Sequence, residues 1–353
     1  MSEIALLVNN KRYGGWKTAR VTRGIESVSG SFELSVSDRW QAGSAPWAIY
    51  EEDECTVSIG AETLVTGYVD RRSVSYSPGE HSLSVSGRDR TGDLVDCSAV
   101  LGVWEFHNTP VLDLVQKVAK PFGVAVSLAR GITLPAPEFR TAIDPGESAF
   151  NVVERLCKKA GVLPVSDGKG GLTLMRPGSA RCTTELVEEQ NILAASADFD
   201  VSGRFRRYVV LGQHTGSDAW FGAETSVRAT AEDAGVKRTA RVLLVRPEGS
   251  VSGAQAKRRA EWEATVRAAR ADAVSVTVQG WTQGDGSLWP VNALVRVRSP
   301  RLGIDGDLLV SQADYEVGEG GTTTRLTLRR PDAFKPEPQV RGDGLWKEIA
   351  KGV

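Results

Sequence analysis

Cys55-Thr-Val-Ser-Ile-Gly-Ala-Glu-Thr-Leu64-Val65-Thr-Gly-Tyr68, a Gly-containing turn, then His81-Ser-Leu-Ser-Val85-Ser-Gly-Arg88-Asp89: on this stretch the fold turns. Much later the chain reads Leu294-Val-Arg-Val297, a Gly/Asp loop and Asp307-Leu308-Leu309-Val310-Ser-Gln-Ala-Asp-Tyr315. A Gly-rich turn leads on to Thr324-Arg-Leu326-Thr-Leu328-Arg-Arg330-Pro331-Asp332. Both passages have the order strand, turn, a strand carrying Leu-Val-Thr/Ser and Tyr, turn, strand. Both last strands alternate apolar and polar residues, the period of a half-buried strand. Both close on a basic–acidic pair. The doubling predicts two similar all-β units in one chain.

The strands around the first passage extend the pattern. Phe32, Leu34 and Val36 alternate with polar residues, as do Val57 with Ile59 and Leu83 with Val85. Residues 38–53 read as a long loop holding Trp40, Pro46 and Trp47. Its tryptophans are candidates for a contact surface or, equally, for packing on a barrel rim.

Residues 96–197 change character. Thr109-Pro110 reads as a helix start, and Val111, Leu114, Val115 and Val118 follow at helical spacing until Pro121. Gly123 to Leu128 reads as a strand. Asp144 and Glu147 read as a capping box for a second helix, which ends at Gly161. Val162–Ser166, Asp-Gly-Lys-Gly-Gly and Leu172–Met175 form a hairpin. Strands return at Arg207–Gly212 and Ala240–Arg246. From Ser252 to Asp272 runs one helix on which Trp262, Val266, Ala269 and Ala273 share a face. Lys257, Arg258, Arg259, Arg267 and Arg270 make the rest basic, as a solvated face or one turned to an acidic partner.

The expected fold class is mainly β with an α+β insert: two similar antiparallel β-barrel domains plus smaller α+β domains. Residues 1–95 with 198–248 make a discontinuous first barrel, and 96–197 the insert. Residues 249–334 make a helix plus second barrel, and 335–353 a Pro/Gly-rich C-terminal tail holding Trp346.

The 353 residues allow several domains, and a formal net charge of −1 gives no sign of a polyanion binder. Cys55, Cys97, Cys157 and Cys182 are scattered, which favours buried free thiols over disulfides or zinc. The start of the chain is a poor signal peptide, and no stretch approaches the roughly 20 apolar residues of a membrane span. The three histidines, His81, His107 and His214, lack metal-ligand spacing. Gly168-Lys169 has Gly170 where a phosphate loop needs Ser or Thr, and Asp305-Gly306-Asp307 lacks the spacing of a calcium loop. No catalytic, cofactor or metal residues are therefore assigned, and a structural or binding role is expected.

Several local motifs, in order, resemble one family. These are Val21-Thr-Arg-Gly-Ile-Glu26-Ser-Val-Ser-Gly30-Ser-Phe32-Glu-Leu34, Gly67-Tyr68-Val-Asp70, and Gly87-Arg88-Asp89-Arg-Thr-Gly-Asp93-Leu94-Val-Asp96-Cys97. The order continues through Glu147-Ser148, Gly161-Val162-Leu163 and Gly280-Trp281-Thr-Gln-Gly-Asp285-Gly286-Ser-Leu288-Trp289. The chain resembles the baseplate hub proteins of Mu-like contractile-tailed phages, within the late-control-gene-D-like hubs. That resemblance implies a non-enzymatic virion protein, assembled in the bacterial host cytoplasm. It implies a homotrimeric, pseudo-six-fold ring that joins the hexameric tail tube protein to the trimeric central spike protein. Other baseplate proteins, and a tape measure protein, are further partners, and DNA is only in transit through the lumen.

Trp40, Trp47, Arg88, Asp89, Arg330, Asp332 and Trp346 are the candidate interface residues. For Arg88-Asp89 and Arg330/Asp332 an intrasubunit salt bridge is the competing reading. Rival functions are a type VI secretion spike-like hub, a non-contractile tail-tip hub, and a cell-wall hydrolase with β-rich binding modules. The chain ends shortly after the second β unit with no repetitive β-prism segment, which favours a separate spike.

Overall fold

The computed structural model describes residues 3–38, 47–77, 80–138, 140–178, 180–213, 226–247 and 251–338. In chain order the elements are β1 (Ile4–Val8), β2 (Lys11–Tyr13), β3 (Thr18–Gly24), β4 (Ser31–Asp38), β5 (Glu54–Ile59), β6 (Glu62–Ser77) and β7 (Glu80–Asp89). Next come α1 (Gly92–Asp96), β8 (Glu105–His107), α2 (Val111–Ala119), β9 (Val126–Leu128), β10 (Arg140–Ala142), α3 (Ala149–Ala160), β11 (Leu163–Ser166) and β12 (Leu172–Met175). They are followed by β13 (Ala180–Arg181), β14 (Leu186–Val187), β15 (Ile192–Phe199), β16 (Arg207–Gln213), β17 (Ser226–Glu232) and β18 (Val242–Val245). The last are α4 (Gly253–Arg270), β19 (Asp272–Gln279), β20 (Ala293–Ser299), β21 (Ile304–Gly318) and β22 (Gly321–Arg329). By contacts the chain divides into two units, residues 1–197 with 274–328 and residues 198–273 with 329–353.

The first unit is organised by a 14-stranded sheet in the order β15-β19-β22-β21-β3-β4-β7-β6-β5-β1-β2, with β20 on β21 and the short β13 and β14 on β20. The two separate β-barrels expected from the sequence are not there: among the described residues no sheet closes into a barrel. A barrel needs its first and last strands to meet. Here β3 instead pairs antiparallel with β21, Val21 opposite Tyr315, and fuses the N- and C-terminal strands into one open sheet. Val21, Phe32, Leu34, Val57, Val85, Val276, Val310 and Leu326 are buried in a core shared by both halves.

The doubling survives this correction as topology. β5, β6, β7 and β4 are adjacent in the order β4-β7-β6-β5. β20, β21, β22 and β19 repeat it as β19-β22-β21-β20. The tyrosines quoted above are not equivalent. Tyr315 is buried and donates its hydroxyl to the carbonyl of Trp289 at 2.5 Å. Tyr68 is only half-buried and lies 5.8 Å beneath the Arg90 guanidinium.

Between the halves sits the α+β insert, with its own core from α2, α3 and flanking strands. Val111, Leu114, Val115 and Val118 are buried in it, as their spacing predicts. The helix starts differ from expectation. Thr109 turns its hydroxyl back to the carbonyl of His107, leaving Pro110 as the cap residue of α2. Ser148, not Asp144, caps α3 by accepting from the Asn151 amide at 3.2 Å. Glu147 is held instead by Arg155 at 2.9 Å, so the acidic spacing reports an ion pair. Gly161 closes α3 at φ 71°, the left-handed conformation that suits glycine.

In the second unit β16 is flanked by antiparallel β17 and parallel β18. Helix α4 has a full capping box, Ser252 with Gln255. Its buried line is Ala256, Ala260, Glu263, Val266 and Ala269, while Trp262 is half-buried and donates to the carbonyl of Lys335 at 2.9 Å. Glu263, with its side chain 6% exposed, pairs with Arg259 at 2.9 Å and Arg267 at 2.7 Å. Part of the basic run is thus neutralised within the helix.

Candidate assembly interface

Trp47 packs against the sheet. Its ring centroid is 5.2 Å from Tyr13 and 5.2 Å from Trp16, edge-on to the latter. Trp40 and Trp346 lie outside the described residues. Arg88 donates to Asp70 at 2.8 Å and to Asp96 at 2.7 Å, which raises its own pKa and lowers that of Asp96.

Asp89 points inward. Its Oδ1 accepts from the Thr91 amide at 2.7 Å and the Thr91 hydroxyl at 2.5 Å, and its Oδ2 accepts from the Ser166 hydroxyl. Burial pushes this carboxyl up despite those bonds. Arg330 reaches Asp272 at 3.4 Å, and Asp332 pairs with Lys335 at 2.8 Å. The two basic–acidic pairs therefore sit in unlike surroundings: Asp89 is buried, Asp332 half-buried in an ion pair.

Asp89 belongs to a clamp that fixes the insert on β6. Arg23 donates to the Ser166 carbonyl at 3.0 Å, and Thr66 to the Gly168 carbonyl at 3.1 Å. The Asp167–Gly171 turn comes so close that a Cβ on Gly168 would stand 2.7 Å from the Leu64 carbonyl. With φ at 75°, that position demands glycine twice over. The Gly-Lys-Gly-Gly run is thus the tip of the β11–β12 hairpin, pressed against the Leu64-Val65 strand.

Among the described residues no group of three or more His, Cys, Asp or Glu is arranged to hold a metal. Cys55 and Cys157 are buried and their thiols pushed up to about 12; Cys182, half-buried, goes to about 11. Cys97 is exposed, unlike the buried thiols expected.

What the structure does leave open is strand edge. β5 flanks β6 only as far as Tyr68 opposite Glu54, and the Val69 amide then reaches the Asp53 carbonyl. β7 continues along the other side to Ser77. From Arg71 to Ser77 the side of β6 away from β7 carries no strand among the described residues. This ribbon holds Val74, 61% exposed, and Tyr76, 82% exposed. Among the described residues β15 ends the sheet with one neighbour, β19, and Leu193 on it is 57% exposed. Neither edge was legible in the sequence: β15 fell inside the stretch read as insert. The doubled order held a signal, since the second half otherwise lacks a counterpart to β3.

Comparisons with known proteins show the family. Residues 3–89 match the "Mu phage baseplate assembly protein GpP-like, N-terminal" family, and 252–337 the "Mu phage baseplate assembly protein GpP, fourth domain" family. Residues 91–176 match "Baseplate hub protein gp44-like, second domain". A crystal structure of the 43 kDa tail protein of prophage MuSo2 from Shewanella oneidensis is 30% identical. It superimposes with a TM-score of 0.85 over 95% of this chain and 99% of that one.

The chain belongs to the Mu-type baseplate hub family.

The baseplate hub protein gp44 of Escherichia phage Mu is 29% identical over 341 residues, 94% of this chain and 88% of that protein. A tail protein from Neisseria meningitidis MC58 shares the fold at 22% identity and TM-score 0.79, over 96% of this chain and 99% of that one. This Mu-type hub is a structural component of the phage tail baseplate. Its relatives are structural tail proteins and not catalytic families.

Proposed function

We propose that this hub acts as a homotrimeric ring that joins the hexameric tail tube to the trimeric central spike and leaves a channel for genome ejection. The observation that carries the reading is the doubled strand order, β4-β7-β6-β5 and β19-β22-β21-β20, in one chain. Three copies present six similar sheet segments to the tube and three whole chains to the spike. A ring of this kind needs head-to-tail interfaces that close after three copies. The open edges at Arg71–Ser77 and β15 suit such contacts, since an uncovered strand edge invites pairing with another chain. The test is the mass of the purified full chain, by sedimentation or mass photometry, alone and with tube and spike proteins. The expected species is a trimer that binds both. A stable monomer that binds neither overturns the reading.

A further inference from the structure

The two halves of the sheet match strand for strand beyond the passages that first show the doubling. β3 lies beside β4 at one end of its set, and β15 lies beside β19 at the same place in the other. They differ in what β3 and β15 do with their outer edges. β3 pairs with the outer part of β21, Ala19 opposite Val317 through Gly24 opposite Gln312. Among the described residues the corresponding outer part of β6, Arg71–Ser77, has no strand in that place, and the outer edge of β15 has none either.

We infer that β15 of one copy pairs antiparallel with Arg71–Ser77 of β6 in the next copy, reproducing between chains the β3–β21 seam made within each chain. The inference rests on the ring proposed above and names the strands that close it. One chain cannot satisfy both edges with a second copy in a two-fold dimer using a single contact. The edges are different surfaces, so the contact is head-to-tail and propagates until a ring closes.

Side chains fit this orientation. Antiparallel pairing brings the N-terminal end of β15, with exposed Leu193, toward Val74 and Tyr76. It brings the C-terminal end, with exposed Asp198, toward Arg71 and Arg72. The internal seam also crosses with a charge pair, Arg20 donating to Glu316 at 2.9 Å and 2.6 Å. The β6–β7 ribbon supplies an independent reason. Its residues from Ser73 to Ser77 are all exposed on β6, and although β4 backs β7 as far as Asp38 opposite His81, β6 is there an edge strand among the described residues, whose backbone groups invite a partner. A strand added on that edge gives β6 a backbone partner and covers Val74 and Tyr76.

Disulfide capture tests the pairing. In full-length chain with exposed Cys97→Ser, single cysteines at Ser73 or Val74 are combined with single cysteines at Ala194, Ala195 or Ser196. Each double variant is oxidised under native conditions and resolved without reductant. At least one combination is expected to give covalent dimers and trimers, with the trimer as the largest major species. In parallel, Leu193→Glu and Val74→Glu are expected to abolish the trimer while the monomer keeps the wild-type circular dichroism. If the wild type is trimeric but no combination crosslinks and both glutamate variants still trimerise, the strand pairing is overturned and the ring stands. If the wild type itself never assembles, alone or with tube and spike proteins, the ring fails as well.

Discussion

The C-terminal half of the sheet holds its longest strand from both sides, whereas the N-terminal half leaves its longest strand half bare. β21 has β22 on one side and β20 then β3 along its length. β6 has β7 along one side, but β5 on the other only as far as Tyr68, with no strand on that side of Arg71–Ser77 among the described residues. Two copies of one strand order thus end in unlike states within a single chain. Edge pairing uses backbone N–H and C=O groups that every strand carries. A duplicated sheet that makes one such seam internally is equipped to make the next with a neighbour.

The sharpest contrast between the halves is Tyr315 against Tyr68. Tyr315→Ala empties a fully enclosed site in the fused core and removes the bond to Trp289. It is expected to cost about 3–5 kcal/mol. Tyr68→Ala is expected to cost under about 1 kcal/mol, because a half-exposed ring leaves no sealed cavity. Chemical denaturation of both variants checks this, and equal losses would remove the distinction.

Asp89 against Asp332 comes next. Asp89→Asn disturbs three accepted hydrogen bonds in a buried site and should cost about 1–3 kcal/mol at neutral pH. Asp332→Asn loses a half-exposed ion pair and should cost under about 1 kcal/mol. The Asp89 carboxyl is pushed up by burial, so the folded chain keeps a proton that the unfolded chain has already released. Stability from this group therefore falls as pH rises from the ordinary aspartate value through the raised one, and is level above it. Wild type is expected to show that decline relative to Asp89→Asn in urea titrations at stepped pH. A difference that does not vary with pH in that range would contradict it.

The smallest effect is in the seam itself. Arg20→Ala removes two bonds to one oxygen of Glu316, but Arg20 is 53% exposed, and about 0–1 kcal/mol is expected. The β3–β21 seam should survive, because backbone bonds and the buried Val21–Tyr315 pair hold it. A large loss on denaturation would mean that charge, not backbone pairing, joins the halves.

Much of this was legible locally. The alternation at Phe32 and Leu34, the helical spacing from Val111 to Val118, and the Asp-Gly-Lys-Gly-Gly hairpin all appear where the residues place them. Neighbouring side chains carry those patterns. Cap positions slipped because Asp144 and Glu147 have the right spacing for a box, yet Glu147 pairs with Arg155 and Ser148 takes the cap. On α4 the expected face missed that a carboxylate, Glu263, can lie on the buried line once two arginines neutralise it. The interface candidates drawn from conspicuous residue types gave packed or internally paired groups at Trp47, Arg88 and Asp89. The open edges, Arg71–Ser77 and Ile192–Phe199, mix Ser and Ala with Arg, Val, Tyr and Leu in no pattern that marks an edge in a sequence.

By itself the sequence determined the strands of the doubled order and the membership in a family of baseplate hubs. Side-chain periodicity and ordered motifs are written residue by residue, so they need no coordinates. Only the tertiary structure decided that the two doubled sets merge into one open sheet instead of closing as two barrels. It alone showed which edge is filled by β3 and which, among the described residues, carries no strand on β6. The reason is physical: strand edges join through a backbone that is the same at every residue, and its partner is chosen by geometry far along the chain.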